Sequence, residues 1–187
     1  MKLLVLDTII GGQGISYSLI QIALVLMDLN EDKLPAAMPK IDFIVNNTKK
    51  LDIDGSSYRI FSKNGLLEKS MNSETSFDLE NISSKINYFI LKNYNFNIGE
   101  KIIIAGEQPY NDLKFIKKYL PDCNINYHLH NNILDPTVLF LNPEIDRYVP
   151  NLKQCLEKIG ADKTMKYDAL DNCYKIIKLI KNRYEIK

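Results

Sequence analysis

Leu3, Leu4, Val5 and Leu6 form a short apolar run that ends at Asp7, and residues 19–27 form a second run dense in Ile, Leu and Val. Between them stands Gly11-Gly12-Gln13-Gly14. Two near-continuous apolar runs flanking a glycine turn predict a central strand and its antiparallel neighbour. Ile41-Asp42-Phe43-Ile44-Val45 predicts a third strand, followed by turn at 46–55 and a short edge strand at 58–61. Residues 64–76 are rich in Ser and Asn and read as the most mobile segment. Leu79, Ile82, Ile86, Phe89 and Ile90 then recur at helical spacing, predicting a helix over 78–94 with Ser76 or Asp78 as its cap. The β-branched run 101–105 predicts a buried strand stopped by Gly106, and 109–120 a helix offering Leu113, Phe115, Ile116 and Leu120 to the core. A fifth strand at 125–129 and two closing helices, 151–159 and 166–183, complete the pattern.

Sequential strands usually pair, and a strand–helix–strand crossover is normally parallel. The predicted fold class is therefore α/β: a mixed five-stranded sheet, its first three strands antiparallel, covered by helices. The 187 residues carry no internal repeat or linker, so residues 1–187 read as a single domain. No run approaches the roughly 18 apolar residues of a membrane span, and the N-terminus lacks signal-peptide regions. A soluble, intracellular (cytoplasmic) protein without membrane contact is expected. Cys123, Cys155 and Cys173 are too few and too scattered for a disulfide framework or a zinc pattern, and read as reduced thiols. A net charge of +1 excludes a general polyanion binder, so any nucleic-acid contact must use a local basic patch.

Candidate chemistry gathers at three places. Asp7 stands where the first strand leaves the core, as a turn-starting residue or as an oxygen ligand for a hard cation. Asp112 lies in the first turn of the helix that follows Gly106-Glu107-Gln108-Pro109-Tyr110-Asn111, where the helix dipole favours a carboxylate. Tyr167-Asp168-Ala169-Leu170-Asp171-Asn172-Cys173 opens the last helix. In this order, with these elements between them, the three stretches resemble the DEDD group of proofreading-type 3′–5′ exonucleases, which have the ribonuclease H-like fold. The resemblance implies that fold, a two-metal site in which four carboxylates hold Mg²⁺ or Mn²⁺ ions about 3.5–4 Å apart, and a single-stranded DNA or RNA 3′ end as partner. Asp7 and Asp112 match two of the implied acids.

The departures carry as much information. Ile9 stands where the family has glutamate, Tyr167 and Asn172 where its last helix gives histidine and aspartate, and Glu107 where a small polar residue or histidine commonly follows the glycine. A second register, tyrosine followed four residues on by aspartate, would use Tyr167 and Asp171 instead. Ala169, Leu170, Cys173, Ile176, Ile177 and Ile180 define one apolar stripe. Asp171 falls nearly opposite that stripe, while Asn172 lies on its flank with Asp168 one turn before it, so Asn172 is placed in the ligand slot. Isoleucine cannot coordinate a cation and asparagine offers only a neutral oxygen, so the implied site is degraded and hydrolysis is expected to be weak or lost, with a metal cofactor only if active. The alternatives are an active Mg²⁺/Mn²⁺ exonuclease using Glu107, Asp168 or Asp171 as substitute ligands, and a non-enzymatic scaffold docking a protein partner through 64–76. His128 and His130 would share a strand face without a third zinc ligand. The glycine turn lacks a following helix to bind phosphate. Lys163, Lys166, Lys175, Lys178, Lys181 and Arg183 form a basic closing segment able to contact phosphates. Tyr17 and Tyr110 read as rim residues able to stack on bases.

Overall fold

The computed structural model describes residues 1–185. Strands β1 (Lys2–Ile10) and β2 (Leu19–Asp28) pair antiparallel from Lys2↔Asp28 to Ile9↔Gln21, with a register shift at Ile9/Ile10. Strand β3 (Lys40–Ile44) adds antiparallel to β2, and β4 (Ile104–Ala105) adds parallel to β1 through Leu4↔Ile104 and Val5↔Ala105. The resulting order is β3-β2-β1-β4, a mixed sheet whose first three strands are antiparallel, as expected. Among the described residues it has four strands instead of five.

Alternation along β1 splits the core into two layers. Leu3, Val5 and Ile9 pack with Leu152 and Leu156 of α6 (Leu152–Lys158) and with Cys173, Ile176 and Ile180 of α7 (Ala169–Arg183). Leu4 and Leu6 pack on the opposite face with Ile82, Ile86 and Ile90 of α3 (Leu79–Asn93) and with Phe115 and Ile116 of α4 (Pro109–Tyr119). β1 and β2 are thus apolar over most of their length because both of their faces are covered.

Two predicted strands are helical. Residues 58–61 lie inside α1 (Gly55–Lys63), which starts because Asp54 accepts the Ser57 N–H at 2.7 Å and caps it. Residues 125–129 become α5 (Asn124–His128), leaving Leu129 only a bridge to Ile102. Ile125 is buried and Tyr127 is 64% exposed, so the apolar spacing that operates is the four-residue step from Ile125 to Leu129. His128 and His130 consequently share no strand face: His128 stacks on Phe96, while His130 Nδ1 accepts the Asn132 N–H. The polar segment 64–76 contains a short helix, α2 (Leu66–Ser70), pinned by the Asn47 amide on the fully buried Ser70 hydroxyl. All three cysteines are free and buried. No helix among the described residues is long and apolar enough to cross a membrane.

Gly106 ends β4 against β1 at close quarters. A Cβ there would lie 2.7 Å from the Leu6 carbonyl oxygen, whereas one on Gly55 would meet nothing within 4 Å. Gly106→Ala is therefore expected to cost about 2 kcal/mol or more by forcing the strands apart. Gly55→Ala should be neutral or stabilise α1 by up to about 1 kcal/mol. Urea unfolding of the two variants measures the contrast.

Candidate active site at the end of the central strand

Parallel pairing of β4 with β1 brings the turn at Gly106 beside Leu6, and α4 begins three residues later. That arrangement sets Asp112, in the first turn of α4, against the end of β1, where the Thr8 hydroxyl donates to its Oδ1 at 2.5 Å. From the other face, α7 presents Asn172, whose Nδ2–H donates to Asp7 Oδ2 at 3.1 Å. Two acids distant in sequence and an amide thus meet at one end of the sheet. Asp7 and Asp112 are 9% and 8% exposed.

Burial controls their ionisation. Loss of water pushes the Asp7 carboxyl well above the usual carboxylate range, the Asp112 charge adds to the effect, and the Asn172 hydrogen bond opposes it. Burial likewise raises Asp112 to about 7, against the Thr8 hydrogen bonds, with Glu107 contributing repulsion. Glu107 is itself raised by burial, while its Oε1 accepts the Leu152 N–H at 2.8 Å at the start of α6. Asn172 keeps a buried Oδ1 with no hydrogen-bond partner.

The other anticipated residues occupy distinct places. Asp171 turns away from Asp7 and pairs with Lys175 at 2.5 Å and Lys166 at 3.5 Å. Asp168 caps α7 by accepting the Asp171 N–H at 2.8 Å, and its second oxygen meets Gln21 Nε2 at 3.3 Å. Tyr167 stands at the rim with a left-handed backbone (φ 51°), a conformation costing a non-glycine residue on the order of 1 kcal/mol. Ile9 lies on the Asp7 side of β1, between the core and a cleft of about 1080 Å³. Tyr17, Asn111, Lys114, Phe115 and Tyr167 also line that cleft. Tyr110 is 64% exposed with Lys114 Nζ 4.7 Å from its ring centre. Sequence reasoning missed Thr8 and Gln21. Gln21 is 1% exposed, binds Asp42 through Nε2 at 2.9 Å and accepts the Ala169 N–H at 3.0 Å. Its signal was a lone polar residue inside the apolar run 19–27.

No protein-family model matches the chain, and no curated protein does. Solved structures that share its architecture include Pop2p and CRN-4. S. pombe Pop2p, in a form with Mg²⁺ and Mn²⁺ bound, superposes with a TM-score of 0.69 at 14% identity, covering 98% of this chain and 84% of Pop2p. Cell-death related nuclease 4 (CRN-4) superposes with a TM-score of 0.65 at 15% identity, covering 98% of this chain and 64% of CRN-4, so the chain spans less than two thirds of that protein. The chain has the fold of these two structures, in line with the ribonuclease H-like architecture expected from its sequence.

Divalent cations need several oxygen donors. Among the described residues, no group of three or more His, Cys, Asp or Glu side chains could hold a metal ion. Asn172 donates to Asp7 and keeps only a neutral Oδ1 to offer, and Ile9 brings an aliphatic chain. The residues present do not fit a two-cation centre.

The raised acids have a measurable consequence. Between about pH 4 and 7 the native chain retains protons that the unfolded chain releases, so their contribution to stability falls as pH rises through that window. Asp112→Asn should flatten this loss, by about 2–4 kcal/mol. Urea midpoints of both proteins across that pH range, without divalent cations, provide the check.

Proposed function

We propose that the chain is a 3′–5′ exonuclease-like protein that binds single-stranded nucleic-acid 3′ ends, or a partner protein, with hydrolysis weak or lost. In this reading residues 1–187 act as one exonuclease-like unit. The observation that carries it is the Asn172 amide seated on Asp7 with Ile9 on the same side of β1. An amide and an aliphatic chain take the places that the exonuclease resemblance gives to acids. Without a dense set of anionic oxygens, water is not activated and charge developing on a phosphate is not neutralised. Binding does not need that charge. The cleft offers Tyr17 for base stacking, Asn111 for hydrogen bonding and Lys114 for phosphate.

A second reading, an active Mg²⁺- or Mn²⁺-dependent nuclease, is favoured by one observation: Glu107 is near enough for its charge to raise both Asp7 and Asp112. Its hydrogen bond to the start of α6 works against that role, because a ligand would have to leave the Leu152 N–H.

A 5′-labelled single-stranded oligonucleotide separates the readings. The unaltered chain is expected to bind it and leave it intact with Mg²⁺ or Mn²⁺, and Lys114→Glu to weaken binding roughly three- to tenfold at low salt. Degradation abolished by Asp7→Ala and by Asp112→Ala would establish the active reading. Ile9→Glu combined with Asn172→Asp should raise Mn²⁺ affinity and create nuclease activity that either alanine change removes. No gain in affinity or activity would mean that Ile9 and Asn172 are not the substituted ligand positions.

A further inference from the structure

β3 is an edge of the sheet, and its outer side is partly bare. Inward bonds on either side of the strand set the alternation: Val45 N–H donates to Ile20 at 2.8 Å, and the Pro39 carbonyl accepts from Leu26 at 2.8 Å. Odd-numbered residues therefore bond to β2, and Lys40, Asp42 and Ile44 turn their backbone groups outward. Phe77 covers only the far end, donating to the Ile44 carbonyl and accepting from Asn46, both at 2.9 Å. From Lys40 to the Ile44 N–H, the edge remains open for another strand.

Each face beside that edge carries a groove. On the α3 side, a cavity of about 500 Å³ is lined by Ile41, Phe43, Tyr88 and Phe89, with Lys85 and Lys92 and no acidic residue. Tyr88 is 69% exposed. Lys85 and Lys92, seven residues apart on α3, stand about 10 Å from one another along the helix, with Tyr88 and Phe89 between them. On the opposite face, a cavity of about 490 Å³ contains Asp42, Asp168 and Asp171 with Lys69 and Lys166. An incoming strand sends alternate side chains to opposite faces at about 6.6 Å intervals on each face. One of its faces would thus meet apolar surface flanked by lysines, and the other a mixed polar surface that repels a further acid.

We infer that the β3 edge from Lys40 to Ile44 binds an extended partner peptide with acidic–apolar–acidic residues at alternate positions facing α3 and uncharged polar residues between them. Main-chain hydrogen bonds to Lys40, Asp42 and Ile44 supply the common affinity, and the groove along α3 supplies selectivity. A second copy of this chain fits less well, because antiparallel self-pairing centred on Asp42 would set two carboxylates directly opposite one another.

Fluorescein-labelled, end-blocked Glu-Ser-X-Ser-Glu pentapeptides, with X as Val, Leu, Phe or Tyr, test the inference by anisotropy at low salt. At least one peptide should bind with Kd below about 1 mM. N-methylation of its serine amides should abolish binding, and Lys85→Glu with Lys92→Glu should weaken it about tenfold or more. These lysines are exposed, so the double variant keeps the fold, which circular dichroism verifies. Hydrogen exchange at the Asp42 and Ile44 amides should slow on binding. Absence of binding by all four peptides, indifference to methylation or charge reversal, or protection elsewhere would overturn the inference. So would a dimer, seen by sedimentation, that buries this edge.

Discussion

Two carboxyl groups are held out of water at one end of the central strand, and the surrounding structure is arranged to tolerate them. Leaving both ionised side by side at low dielectric would be costly. The fold answers with a hydroxyl on Asp112 and an amide on Asp7. Each comes from a different element: Thr8 from β1 itself and Asn172 from α7 across the sheet. The hydrogen bond from Asn172 therefore joins the last helix to the first strand at one of the two buried acids. An aspartate at 172 would add a third carboxylate to this burial, which only a bound cation could offset.

The rest of the molecule positions this junction. β1 and β2 are buried on both faces, so their register is set by packing over nine or more residues. β4 is only two residues long, yet its parallel pairing and the close approach of Gly106 to Leu6 fix where α4 starts, and hence where Asp112 stands. α7 is oriented by its apolar stripe and by a polar anchor at its start, where Gln21 accepts from Ala169 and Asp168 caps the first turn. These constraints lie in backbone and core, which explains how the architecture of Pop2p and CRN-4 is shared at 14% and 15% identity.

Much of this was legible in the sequence. Strands β1 to β3 and helices α3, α4 and α7 stand out because their apolar residues follow a strong period or run unbroken. The short pieces were ambiguous. Four residues at 58–61 and five at 125–129 carry too few apolar positions to separate a strand from a helical turn, and the deciding features were the Asp54 cap and the outward Tyr127. At the site, Asp7 and Asp112 were readable because acids at the ends of apolar elements are conspicuous. Thr8 was not, since threonine is an ordinary strand residue and its partner lies 104 residues away, while Gln21 stood out only as a lone polar residue in an apolar run, with nothing in the sequence to name Asp42 and Asp168 as its partners. Helical geometry on the flank of the α7 stripe did separate Asn172, which touches Asp7, from Asp171, which ends on lysines.

The central claim is that this junction has exchanged cation-holding groups for an amide and an aliphatic chain. Isothermal titration of Mn²⁺ into the unaltered chain at neutral pH probes it directly. The account predicts at most one weak site, displaced by modest salt. Two tight sites in the micromolar range, both lost when Asp7 is changed to alanine, would contradict it.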